Sequence, residues 1–192
     1  MRINVIVATA LMGLLFTSAV ARAAVWNEVT NGDISGDRNN PSVLTLTPGT
    51  NSIIGTTAGG DLDYLRLNLP AGAALQSLTL SSYASNDGQA FIGMQRGSTF
   101  TEDPNTANPA NLLGYTHFGP SAGNVGTDIL PAMGRAFGAQ GFTPPLTGGP
   151  YTLWIQQLGA STAYQFNAVA TPEPAGGILL LGAAAICLRR RR

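Results

Sequence analysis

In Tyr64-Leu65-Arg66-Leu67-Asn68-Leu69 every second residue is a leucine, and none of the residues between is aliphatic. Side chains of a strand point alternately to its two faces, so this period of two makes a half-buried strand and speaks against a helix. Pro70-Ala71-Gly72 closes it. The same signature recurs along the chain. Residues 43–47 alternate, with Leu44 and Leu46 on one face, and end at Pro48-Gly49. Residues 51–57 are β-branched and stop at Ala58-Gly59-Gly60. Residues 75–82, with Leu78 and Leu80 on one face, run into the turn Ser85-Asn86-Asp87-Gly88, and residues 90–94 make a short buried strand. Further on, Tyr151, Leu153 and Ile155 share a face opposite Thr152, Trp154 and Gln156. Tyr164 and Phe166 follow the Gly159-Ala160-Ser161 turn, so 151–157 and 162–169 read as a hairpin. Short strands, regular turns and no long amphipathic helix predict an all-β domain, an antiparallel β-sandwich.

Residues 97–150 interrupt that rhythm. Seven prolines (104, 109, 120, 131, 144, 145 and 150) and many glycines exclude long regular structure. Leu112, Leu113, Tyr115, Phe118, Phe137 and Phe142 argue for order, because disordered segments are poor in aromatics. The expectation is an ordered excursion over one end of the sandwich, with residues 129–137 forming a helical turn or a strand. It is the best place to look for a binding surface.

The two ends differ from this body. Arg2, a mostly apolar stretch at 3–20 and Ala21-Arg22-Ala23 have the three parts of a secretory signal peptide over residues 1–23. The alternative is a retained N-terminal membrane helix. At the other end, Pro172-Glu173-Pro174 precedes an unbroken apolar run, 175–188, and then Arg189, Arg190, Arg191 and Arg192. That run would be about 21 Å long as a helix, against a bilayer core of about 30 Å. The arginines resist translocation and would stay cytoplasmic. This leaves a body of residues 24–170 and a tail of residues 171–192, with a transmembrane helix expected in the tail.

With the ends set apart, residues 24–171 hold four arginines and nine carboxylates, a balance of −5 where the whole chain has none. There is no lysine. Such a surface offers no patch to neutralise phosphates, so nucleic acid is not an expected partner. The single cysteine, Cys187, lies in the tail, and the body must be stable without a disulfide.

The tail resembles the PEP-CTERM sorting signal of Gram-negative bacteria, in the order Pro172-Glu173-Pro174, apolar span, arginine cluster. That resemblance implies an exosortase as partner, a passage through the inner membrane, and release to the cell surface or extracellular matrix among exopolysaccharide and biofilm. An ordinary membrane anchor is the competing reading. The body is similar to the bacterial pre-peptidase C-terminal (PPC) type of domain. Trp26-Asn27-Glu28, Gly32-Asp33-Ile34-Ser35, Gly60-Asp61-Leu62-Asp63-Tyr64, Pro70-Ala71-Gly72 and Tyr151-Thr152-Leu153-Trp154-Ile155 carry the likeness. This implies a small β-sandwich, jelly-roll-like and not itself an enzyme. Residues 97–150 depart from it in length and proline content.

Few residues suggest chemistry. His117 is the only histidine, and the body lacks thiol and lysine, so neither a catalytic set nor a zinc site is legible from residue types alone. The expectation is a protein that is not an enzyme and needs no cofactor, with calcium the one candidate ion. Asp61 and Asp63, at i and i+2, would share a face of an extended segment and are candidate calcium ligands; capping of a turn is the alternative. Asp33 and Asp37 form a second acidic turn. Trp154 and Gln156, on one face, are candidate glycan contacts of a lectin-like module, with Trp26, Tyr83 and Tyr115 near them in type. The alternative places Trp154 in the core or under the long excursion. The first reading is therefore a passive exported surface protein, and the second a carbohydrate-binding module.

Overall fold

The computed structural model describes residues 23–172. In chain order it forms β1 (Val25–Asn27), α1 (Glu28–Asn31), β2 (Ser42–Thr45), β3 (Gly49–Thr57), β4 (Leu62–Asn68), β5 (Ala73–Ser85), β6 (Ala90–Arg96), β7 (Gly114–Phe118), α2 (Leu130–Met133), β8 (Leu146–Thr147), β9 (Tyr151–Gln156) and β10 (Thr162–Pro172). Residues 1–22 of the expected signal peptide lie outside the described residues, as do 173–192 with the expected transmembrane helix. Among the described residues no helix is long and apolar enough to cross a membrane.

Two five-stranded sheets face each other, ordered β1-β3-β10-β5-β8 and β2-β4-β9-β6-β7. The sandwich follows from the alternation: Leu65 and Leu67 of β4, Leu153 and Ile155 of β9, and Phe166 of β10 all turn into one core and are fully buried. The sheets are mixed, where an antiparallel arrangement was expected. β1 pairs with β3 and β2 with β4 in parallel. Strands β1 to β6 alternate between the sheets. A chain that reverses direction at each crossing returns to its first sheet running as before, so strands two apart come out parallel. The same alternation corrects the expected hairpin at 151–157 and 162–169. β9 lies between β4 and β6, whereas β10 lies between β3 and β5 in the other sheet. Both strands still present their apolar faces to one core, which is why periodicity does not distinguish an arch between sheets from a hairpin within one.

The 97–150 stretch is ordered, as its aromatics require, but it is not confined to one end. It supplies β7 to the edge of the second sheet and β8 to the edge of the first. Leu113, Phe118, Ile129, Leu130, Met133 and Leu146 enter the main core. Its opening segment lies on the outer face of the second sheet, where Phe100 and Leu112 join Tyr64 and Trp154 in a second apolar layer. Gln95, nearly buried, fastens that segment. Its side-chain amide donates to Thr101 Oγ1 (3.1 Å) and the Asn111 carbonyl (2.9 Å), and its Oε1 accepts from Thr101 N–H at 2.7 Å. The Arg38 guanidinium donates to the Thr101 carbonyl from the loop before β2.

A second polar residue ties the start of the body to the first sheet. Asn51, fully buried, accepts from the backbone N–H of Ala24 (3.2 Å) and Thr47 (2.8 Å) and donates to the carbonyls of Thr47, Gly49 and Ala168. Truncating it leaves the buried Ala168 carbonyl and several partly buried backbone groups unpaired, at about 1–3 kcal/mol for such a loss. Asn51→Ala is expected to lower the urea midpoint accordingly, and an unchanged midpoint would show that water replaces the side chain at no cost.

Candidate functional site

The segment Trp26-Asn27-Glu28-Val29-Thr30-Asn31-Gly32-Asp33 folds back on itself through local hydrogen bonds. Asn27 caps α1 by accepting from Val29 N–H (3.0 Å), and Asn31 Oδ1 accepts from Asn27 N–H (2.9 Å). Gly32, at φ +85°, ends the turn in a conformation that disfavours side chains. Ile34 then plugs the core, fully buried. This single turn sets Glu28 and Asp33 on the same side of the chain, above β3.

Glu28 is held on three donors: Ile34 N–H to Oε1 (3.2 Å), and Thr56 N–H (2.7 Å) and Thr56 Oγ1–H (2.9 Å) to Oε2. Beneath it, Asp63 projects from β4 into the gap between the sheets and is fully buried. The Tyr164 hydroxyl of β10 donates to Asp63 Oδ2 at 2.6 Å, while Oδ1 has no hydrogen-bond partner among the described residues. Glu28, Asp33 and Asp63 each bring one carboxylate oxygen into a group in which all three lie within 4.8 Å of one another.

Gly55 makes this approach feasible. It sits opposite Tyr164 in the β3–β10 ladder. A Cβ there would lie 2.6 Å from the tyrosine oxygen and 3.1 Å from Glu28 Oε1. Glycine weakens the interior of a strand and often marks a close approach of other groups, which is its role here. Glu28, Asp33, Gly55, Thr56 and Tyr164 line a cleft of about 560 Å³ that opens to solvent.

The electrostatics are those of crowded carboxylates, with no cationic side chain of the described residues acting on Glu28 or Asp63. Burial, above all, pushes the Asp63 carboxyl up to about 8; the negative charges of Glu28, Asp61 and Asp33 add to this, and the Tyr164 hydrogen bond opposes it. Glu28 is also raised, chiefly by burial, against the lowering effect of its bonds to Thr56 and Ile34. Burial and then the charge of Asp63 raise the Tyr164 hydroxyl well above the ordinary tyrosine range. In each case desolvation of the ionised form is the leading cause.

The expected pairing of Asp61 with Asp63 does not form the cluster. Asp61 lies in the turn before β4, where its carbonyl accepts from Thr57 Oγ1 (2.6 Å) and its N–H bonds the Ala58 carbonyl (3.0 Å). Only its charge reaches Asp63. Asp33 and Asp37 also part company. Asp37 Oδ1 accepts from Asn39 N–H (2.9 Å), an ordinary turn, whereas Asp33 joins Glu28 and Asp63. Sequence reasoning missed Glu28. The asparagine cap and Gly32 stop are legible as a one-turn helix, but nothing local shows that the turn lands beside β4.

Trp154 and Gln156 do share the outer face of β9, and Trp154 is 3% exposed. Its ring packs against Phe91 (centroids 4.8 Å) and Phe100 (5.6 Å). The excursion therefore covers the face on which a sugar would stack, and an apolar recess with Phe91, Pro109, Leu112 and Tyr115 reaches the indole. Gln156 is half-buried in a different recess, beside Asp87, Gln89 and His117. His117 meets Phe91 in a T-shaped contact, with ring centroids 5.9 Å apart. Of the sorting tripeptide, Pro172 is the exposed last residue of β10; Glu173, Pro174 and Arg189 to Arg192 lie outside the described residues. Compared with protein-family models, with curated proteins and with solved structures, the chain finds no match.

Proposed function

We propose that this is a non-enzymatic exported protein, sorted by an exosortase to the cell surface or extracellular matrix, where its β-sandwich serves as a structural or adhesive unit among exopolysaccharide. The observation that carries the reading is the order Pro172-Glu173-Pro174, apolar run, Arg189 to Arg192. It is supported by the signal-like stretch at the other end of the chain, residues 1–23, which pairs an export route across the inner membrane with the sorting motif. The near-complete burial of Trp154 speaks against that side chain as a sugar-stacking surface.

Intact mass and cell fractionation of the native protein test this, alongside Glu173→Ala. The wild type is expected outside the cell, shortened near residue 171, while the variant stays in the inner membrane with its arginines attached. If both keep Arg189 to Arg192 and stay in the inner membrane, the tail is an anchor and the sorting reading fails.

A further inference from the structure

We propose that Glu28, Asp33 and Asp63 form a calcium site that clamps the α1 turn to both sheets of the sandwich. Unlike the sorting reading, this one rests on the folded body alone.

Three observations carry it. The first is spacing. Two calcium–oxygen bonds of about 2.4 Å on opposite sides of an ion put their oxygens about 4.8 Å apart, so ligand atoms of one calcium shell all fall within that distance. The three carboxylate oxygens here do so. The second is Asp63 Oδ1, an acceptor on a fully buried side chain with no partner among the described residues, on a residue that belongs to the cluster. A buried carboxylate oxygen without a donor is costly, and a cation is the ligand that such an oxygen lacks. The third is the cradle. Gly55 leaves room where any side chain would press on Tyr164 and Glu28, and the three donors on Glu28 fix its carboxylate before an ion arrives. A ligand fixed in advance loses little freedom on binding.

The chemistry selects the ion. All donors are oxygens, three carboxylates bring a formal charge of −3, and neither thiol nor imidazole is in the group, which suits a hard divalent cation. Calcium accepts irregular shells at 2.3–2.6 Å, whereas magnesium demands a tighter octahedron and holds its waters. Asp33, exposed on the wall of the solvent-filled cleft, would leave water to complete the shell. The ion would join the α1 turn, through Glu28 and Asp33, to β4 of the second sheet through Asp63, and to β10 of the first through the Asp63–Tyr164 hydrogen bond.

The test is calcium titration of the full-length chain in mild detergent, by calorimetry and by thermal unfolding with and without chelator. One calcium per chain is expected, with a dissociation constant of about 10⁻⁴–10⁻³ M if the site behaves as extracellular modules do. Calcium should raise the melting midpoint, and magnesium at equal concentration should raise it far less. Asp33→Asn, an exposed change that leaves the core intact, should weaken binding by about tenfold or more, as should Glu28→Gln. Asp61→Asn, outside the cluster, should bind as the wild type does. Terbium in place of calcium should show emission sensitised by Tyr164, lost in Asp63→Asn. Absence of saturable calcium binding, binding unchanged by Asp33→Asn and Glu28→Gln, or equal response to magnesium would each overturn the assignment.

Discussion

Phe118→Ala is expected to destabilise the domain by about 3–5 kcal/mol, the usual cost of removing a buried phenylalanine. Phe118 ends β7, a strand contributed by the proline-rich excursion, and is fully buried. Its ring meets Phe166 edge-on (centroids 5.0 Å), Tyr164 (6.0 Å) and Tyr83 (5.8 Å), all on strands of the opposite sheet. The side chain is thus a bolt between the sheets, and edge-to-face pairs of this kind add about 0.5–1.5 kcal/mol each beyond their burial. Such a cavity cannot collapse easily, because β6 and β7 are held in register over five residue pairs, from Ala90–Phe118 to Met94–Gly114. Urea unfolding checks the value: the midpoint should fall with little change in slope. A loss below about 1 kcal/mol would mean that the excursion rests on the sandwich without belonging to its core.

The second large effect concerns Asp63 in calcium-free protein. Its carboxyl stands near 8 in the folded chain and near the ordinary 3.8 when unfolded. Between those values the folded state holds a proton that the unfolded state has released. Stability therefore falls as pH rises from about 4 to about 8, and levels off above the folded value. The slope reaches at most about 1.4 kcal/mol per pH unit for one such group, so a loss of several kcal/mol is expected between those two values. Glu28 and Asp61 are raised as well and contribute with the same sign. Chemical unfolding at a series of pH values, in chelator, measures the curve. Asp63→Asn keeps an acceptor for the Tyr164 hydroxyl and carries no charge, so it should flatten the dependence and be the more stable form at pH 8. A variant that retains the full slope would remove Asp63 as its source. Calcium should also shrink the slope in the wild type, because a bound cation keeps the carboxylate ionised in the folded state.

Much of the fold was legible from residue periodicity. Alternation alone places Leu65 with Leu67, Leu78 with Leu80, and Tyr151 with Leu153 and Ile155 on shared faces, and all are buried. Period two reports which side of a strand meets a core, and that information is local. It does not report which strand lies alongside. Hence the expected 151–169 hairpin divides between two sheets, and the parallel pairs β1–β3 and β2–β4 have no counterpart in the sequence reading. Trp154 shows the same limit: its face was assigned correctly, but the cover supplied by Phe100 and Leu112 depends on where a distant loop settles.

The candidate site divides along the same line. By itself the sequence determined an all-β body, its net charge, and the acidic character of the segments around Asp33 and Asp61. Only the tertiary structure decided which carboxylates meet. Asp61 and Asp63, two residues apart, separate because the first lies in a turn and the second points between the sheets. Glu28 and Asp63, 35 positions apart in the chain, converge because β1 and β4 lie in opposite sheets and Gly55 lets Tyr164 and Glu28 close over the gap. Spacing along a chain governs what shares a face of one strand; the packing of one sheet on another governs what shares a site.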